Sequence, residues 1–357
     1  MSDRSAIIVG AGLGGLLCGR ILSREGWQVT LLEQGAQAGG ALQTFVRDGI
    51  RFDTGFHSVG GMGPGEPLEQ VFRFAGLPAL PWIRMEADEI VDGTGPFLRF
   101  SSDREEEKNH ILEPYRLGTW RLQGGGKTLV DALSQGQDIL LRKKVTEVAD
   151  HTVSCADGSR YRADIVVSDV HPLVTMGWVR DHVRPAYLDR IRKTRNSPGI
   201  FTVYAKLRPG TLPYLNHNIF IGDQVMVHFG EPDENGFARS IDLLAFESPG
   251  QAGDDTIVTP GCDRAARAEA LIRLAAQRLG DLPGAIQRYW TSTPQTWARY
   301  TGTPGGTAYG ILKSGPQDYI SPQTPLPWLF LTGQNIGLHG VLGTSVSALN
   351  TCKSISQ

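Results

Sequence analysis

The feature that leaves this chain fewest choices is a glycine loop, Gly10-Ala11-Gly12-Leu13-Gly14-Gly15, set between two apolar runs. Before it, Ala6 to Val9 is short and wholly apolar, the pattern of a strand buried on both faces of a parallel sheet. After it, Leu13, Leu17 and Ile21 recur at helical spacing until Gly26, and Trp27 to Leu32 reads as a second strand closing on Glu33. These pieces make a compact strand–helix–strand unit. Gly10 permits the tight turn, Gly12 lets a pyrophosphate approach the backbone, and Gly15 lets helix and strand pack closely. The helix start offers unpaired N–H groups and a positive dipole end to phosphate. Glu33 stands 23 residues after Gly10, where a carboxylate accepts ribose hydroxyls. A glycine-rich loop alone is weak evidence. With strand, helix and acid in register, the unit reads as a dinucleotide site.

Beyond it, residues 61 to 123 are irregular, rich in Gly and Pro, and contain a charge run, Asp103 to Lys108, of the kind that solvates a surface. Ile139 to Val148 reads as a strand, followed by Thr152 to Ala156, an Asp157-Gly158 hairpin turn, and a strand from Tyr161 into Val167. Further strands are expected at Phe201 to Leu207, Ile219 to Phe229 and Ile241 to Phe246. An amphipathic helix is expected from Asp263 to Leu279, with Ala268, Leu271, Ile272 and Ala275 on its apolar face. The end reads as a buried strand at Trp328 to Leu331, a glycine loop, and a helix from about Thr344.

A second glycine pair, Gly39-Gly40, follows the acid where a nicotinamide domain would simply continue into another repeat. With Phe52-Asp53-Thr54-Gly55-Phe56-His57, the stretch resembles the glutathione-reductase-type FAD superfamily, and within it the phytoene desaturase, carotenoid isomerase and retinol saturase group. Gly124-Gly125-Gly126-Lys127, Ala163 to Asp169, Leu331-Thr332-Gly333-Gln334 and His339 to Thr344 are similar to later segments of that group. The resemblance implies an α/β fold: a discontinuous FAD domain from residues 1–60, 124–170 and 322–357, and a mostly antiparallel substrate domain from 61–123 and 171–321. It implies non-covalent FAD held by Gly10, Gly12, Leu13, Gly14, Gly15, Glu33, Gln34, Gly39, Gly40, Ala41, Leu42, Val145, Gly333, Gln334, Gly340, Val341, Leu342, Gly343 and Thr344. The group usually has a basic residue where this chain has Ala41, and many members have an acid where it has Gln334. Members are also longer, the shortfall falling mainly between Phe100 and Tyr115, with smaller ones near Gly136 and Pro249 to Asp255.

The implied activity is oxidation, reduction or isomerisation of a polyene or isoprenoid lipid, with hydride moving between an allylic carbon and flavin N5. Two alternatives stay open: an amine oxidase on the same fold, or a lipid-binding module without turnover. Residues 333 to 343 contain no Tyr, Trp or Phe, against the aromatic pair an amine oxidase wants on that motif. His57 and His339 flank the flavin loops and are the catalytic candidates, although such histidines are more often hydrogen-bonding spacers. Asp53 reads as a brace for its own loop. Phe201, Phe220, Phe229, Phe246, Trp290, Trp297 and Tyr300 are the residues expected to face the flavin. No spacing suggests a metal site. The net charge of −2 gives no pull towards nucleic acid. Four dispersed cysteines fit a reducing compartment, and no apolar run reaches the roughly 18 residues that span a bilayer. A cytoplasmic protein is expected, with a peripheral membrane contact and the oligomeric state left open.

Overall fold

A computed structural model describes residues 4–92, 115–247, 263–313, 315 and 318–357. The charge run Asp103 to Lys108, and the shortfalls expected between Phe100 and Tyr115 and at Pro249 to Asp255, lie outside these residues, save for Tyr115 itself.

A five-stranded parallel sheet runs in the order Leu329–Leu331, Ile165–Ser168, Ser5–Val9, Gln28–Leu32, Asp138–Leu140. The first strand is central, paired on both sides, which is why its residues 6 to 9 carry no polar side chain. Helix Leu13–Arg24 crosses from the first strand to the second and packs against the last helix, Gly340–Ser356, around Leu17, Cys18, Ala348 and Cys352.

Ile139 to Val148 is two strands rather than one. Asp138–Leu140 ends the parallel sheet, and Val145–Ala149 opens a separate antiparallel sheet with Thr152–Cys155 and Arg160–Arg162. The break falls where Arg142 takes a left-handed backbone (φ 60°), and the chain turns to donate Arg142 and Lys143 N–H to Gly35 and Glu33 carbonyls. The stretch from Tyr161 likewise divides, with Ile165–Ser168 alone entering the parallel sheet.

The second large sheet has six strands in the order Ile286–Ser292, Gly199–Leu207, Ser240–Glu247, Val225–Phe229, Ile219–Ile221, Glu89–Val91, antiparallel except for the last pair. Ile219 to Phe229 is a hairpin broken at Gly222 (φ 54°). Ile286–Ser292 was not expected, because exposed Gln287 and Arg288 on this edge strand dilute its apolar signal. Alternation divides the sheet's side chains cleanly. Phe201, Val203, Phe229, Ile241 and Leu243 pack on helix Arg264–Leu279 through Ala268, Leu271, Ile272 and Ala275, as its periodicity requires. Ile200, Phe220, Met226 and Leu244 point the other way. Among the described residues, no helix is long and apolar enough to cross a membrane.

Candidate active site

At the C-terminal edge of the parallel sheet the glycine loop turns from strand to helix. Gly10 (φ 96°) donates its N–H to Leu32 O at 2.8 Å, a backbone conformation that favours glycine. Glu33, buried, holds the loops together: Oε2 accepts Ala11 N–H at 2.9 Å and Oε1 accepts Gly35 N–H at 2.7 Å. The second glycine pair passes directly over the first, with Gly39 N–H donating to Ala11 O at 2.7 Å. A Cβ on Gly40 would stand 3.1 Å from Gly12 Cα.

These loops form one end of a cavity of about 540 Å3. It is lined by Gly10, Gly12, Leu13, Gly14, Glu33, Gln34, Gly39, Gly40, Ala41, Leu42, Val145, Gln334, Gly340, Val341 and Thr344, and by His57. Gly15 and Gly333 are not on its wall. Gly15 packs on Gly10 O and Ile8, and Gly333 backs onto Gly14. Leu342, Gly343 and His339 line a neighbouring cavity of about 440 Å3, which shares Tyr115, Gly340 and Val341 with the first. The C-terminal helix starts at Gly340, four residues before the expected Thr344, because Gly343 closes the first turn against the Leu338 backbone.

The other end of the cavity is the free face of the six-stranded sheet. Ile200, Phe220, Met226 and Leu244 form its floor, and Trp297, Tyr309 and Tyr115 its sides. Of the seven aromatics expected to face the flavin, Phe220, Trp297 and Tyr300 line the cavity, Tyr300 at an exposed rim. Phe201 and Phe229 occupy odd positions of their strands and face the helix instead. Phe246 packs behind Phe220 and Leu244, and Trp290 packs on Phe52, ring centroids 5.8 Å apart. The cavity's aromatics thus come from segments other than residues 333 to 343, so that segment's composition says little about amine oxidation.

Beside the floor lies a buried polar chain that sequence reasoning missed. His57 and His228 meet edge to face with centroids 4.9 Å apart. His228 Nδ1 lies 2.9 Å from Asn218 Oδ1, and Asn218 donates both its N–H and Nδ2 to Asp88 Oδ1 at 3.1 Å. Burial holds His57 down at about 4 and pushes Asp88 up. Asp242, on the same sheet face, has a buried Oδ1 with no hydrogen-bond partner among the described residues; burial and nearby Asp53 push its carboxyl well up. Four chain segments supply this group, and no spacing links them. Asp53 does not brace its own loop. It accepts Gly126 N–H at 2.7 Å, tying the helix Gly125–Ser134 to the hairpin of Thr44–Arg47 and Ile50–Asp53, and burial raises it to about 7. Gly124 to Lys127 are therefore structural and do not line the cavity, whereas Lys143, Lys144 and Asp169, also missed, do.

The residues present fit FAD. The Asp169 carboxylate lies over the glycine loop beside the amides of Gly12 and Gly15, in the place a phosphate would take. The space above Gly12 and Gly14 has no room for a side chain: a Cβ there would lie 2.6 or 2.5 Å from that carboxylate.

Comparison with known proteins agrees. Residues 8–75 match a family described as an NAD(P)-binding Rossmann-like domain, and residues 84–355 match one described as flavin containing amine oxidoreductase. The all-trans-retinol 13,14-reductase of Macaca fascicularis is 46% identical over 81 residues, which are 23% of this chain and 13% of that protein. The 4,4'-diapophytoene desaturase (4,4'-diapolycopene-forming) of Methylomonas is 45% identical over 54 residues, 15% of this chain and 11% of that one. The chain thus matches only a small part of the length of these relatives. A redesigned putrescine oxidase superposes with a TM-score of 0.71 at 16% identity, over 99% of both chains. An oxidoreductase of Methanosarcina mazei gives 0.69 at 16%, over 98% of this chain and 100% of its own. With the Rossmann loops in place and three quarters of its length matched, the chain belongs to the flavin-containing amine oxidoreductase family, whose cofactor is FAD.

Proposed function

We propose that the protein oxidises, reduces or isomerises a polyene or isoprenoid lipid. The observation that carries this reading is the apolar floor of the cavity: Ile200, Phe220, Met226 and Leu244, one from each of four neighbouring strands. Such a wall binds hydrocarbon by area alone, at roughly 25 cal/mol per Å2 removed from water. The short matches to a retinol reductase and a diapophytoene desaturase support it.

In this reading, residues 1–60, 124–170 and 322–357 form the cofactor domain and the remainder the substrate domain. FAD supplies hydride acceptance or donation at flavin N5, with an allylic carbon as the partner. The chain's own residues orient the lipid on the sheet and exclude water with Trp297 and Tyr309. His57 is neutral above about pH 4 and serves as part of the cavity wall, its ring against His228, rather than as a proton donor. His339 has Nδ1 3.2 Å from Gln334 O, which puts a proton on that nitrogen and fixes the ring beside the helix start.

An amine substrate is the second reading, favoured by the Asp88 carboxyl on the cavity wall. Against it, Asp88 Oδ1 already accepts two N–H groups, and burial moves the group towards the neutral acid. Anaerobic mixing of the flavin-loaded protein with detergent-solubilised polyenes or isoprenoids, and separately with a panel of amines, decides between them. Change in flavin absorbance with lipids alone is expected. Bleaching by amines and none by lipids overturns the reading.

A further inference from the structure

Strand Ile165–Ser168 ends beside the glycine loop, and the next residue, Asp169, turns its carboxylate into the loop's mouth. Its place is set by backbone: Asp169 N–H donates to Val9 O at 2.9 Å, and Thr332 N–H donates to Ser168 O at 2.9 Å, fixing the strand end between its two neighbours. The carboxylate lies against Gly12, Gly14 and Gly333, beside the backbone amides of Gly12 and Gly15, which favour its charged form. These are the amides at the helix start that a dinucleotide's pyrophosphate needs. Site and side chain therefore compete for the same place.

The surroundings decide how the competition ends. Asp169 is half-buried at the cavity wall against glycine backbone, with no cation bearing on it among the described residues. The titratable group that does bear on it is Glu33, at the end of strand Gln28–Leu32, a second carboxyl that pushes Asp169 further up. Lys143 lines the same cavity, but its Nζ is taken by Asp157 at 2.6 Å. An ionised Asp169 beside a diphosphate would be two buried anions with one set of donors. A neutral Asp169 could give a phosphate oxygen the one donor that a carboxylic acid has.

We propose that Asp169 is a cofactor-binding residue that works as the neutral acid, so that FAD binding takes up one proton at this side chain. The inference rests on the cofactor and not on the lipid substrate, so its failure leaves the substrate question untouched. Burial, with Glu33 adding to it, raises Asp169 to about 7 in the cofactor-free protein. The sign follows. Below that value the acid is already protonated and FAD affinity is flat with pH. Above it the free protein ionises, and each further unit weakens FAD by up to about tenfold.

The test is FAD titration of the apoprotein between pH 5.5 and 9, followed by quenching of flavin fluorescence, on wild type and Asp169→Asn. Wild type should show a dissociation constant that is flat and then rises above about pH 7. Asp169→Asn should be flat throughout and bind FAD up to roughly a hundredfold more tightly than wild type at pH 9. Calorimetry of wild type at pH 8.5, in two buffers of different ionisation enthalpy, needs no variant and should count close to one proton taken up. A pH-independent wild-type constant, no proton uptake, or an unchanged slope in Asp169→Asn overturns the proposal.

Discussion

The glycine loops and the six-stranded sheet wall one cavity with different materials. At the loops the wall is backbone: Gly12, Gly14, Gly39 and Gly40 contribute amides and empty space, and Glu33 acts by holding other amides in place. At the sheet the wall is side chain, with one residue from each of four strands facing the cavity and the opposite face of the sheet packed on a helix. A backbone wall asks for the absence of a side chain at a few positions and ignores most others. A side-chain wall can be redrawn residue by residue without moving a strand. Cofactor identity is therefore shared across a family, and substrate identity diverges within it.

That contrast can be broken from either side. The largest effect belongs to the loops. Gly12→Val puts a branched side chain where the phosphate must lie, and FAD should be lost on gel filtration, with affinity down by more than about a hundredfold, or roughly 3 kcal/mol. A yellow Gly12→Val protein means that the nucleotide lies elsewhere. Glu33→Ala removes charge-assisted hydrogen bonds worth about 1.5–3 kcal/mol each, and FAD affinity should fall by roughly ten- to a hundredfold.

The sheet should answer differently. Phe220→Ala opens the cavity floor while leaving the loops alone, so FAD affinity and the flavin spectrum should be unchanged. KM for an apolar substrate should rise by about tenfold, the order expected for part of a buried aromatic's contribution. Loss of FAD from this variant would erase the distinction between the two walls. The smallest effect concerns stability. Asp242 is buried and its carboxyl is raised, so the stability it leaves intact in acid is lost as pH rises from the ordinary carboxylate range towards its folded value. Asp242→Asn should therefore raise the thermal midpoint at pH 8 and leave it unmoved at pH 3. His57, held down at about 4, acts in the opposite sense, its contribution being present above about 6.5 and lost as pH falls to 4. Equal shifts for Asp242→Asn at both pH values would show that the group is not buried as described.

The two walls were not equally legible in the sequence. Gly10, Gly12 and Glu33 lie on one local unit whose turn, helix start and strand end are dictated by neighbours, so their geometry can be worked out from spacing. Phe220 and Phe229 sit in the same hairpin and look alike in composition. Which one reaches the cavity depends on register across Gly222, which spacing along the chain does not carry. His57, Asp88, Asn218 and His228 meet only through tertiary packing, and Asp169 was visible as a strand end without any sign that its carboxylate enters the loop. The charged turn at Arg142 was the one local signal overlooked, and it would have divided Ile139 to Val148 correctly.

The C-terminal helix lies against the first helix and supplies Gly340, Val341 and Thr344 to a cavity whose opposite lip is Gly10 to Gly14. Synthesis on the ribosome is one-directional, so the glycine loops emerge and must wait about 300 residues for their counterpart, on the order of 15 to 60 seconds at 5–20 residues per second. During that interval the nascent chain has a phosphate cradle with no flavin wall. Capture of the cofactor is then a late event in the protein's making, falling after translation of residue 344 rather than during the birth of the domain that grips it.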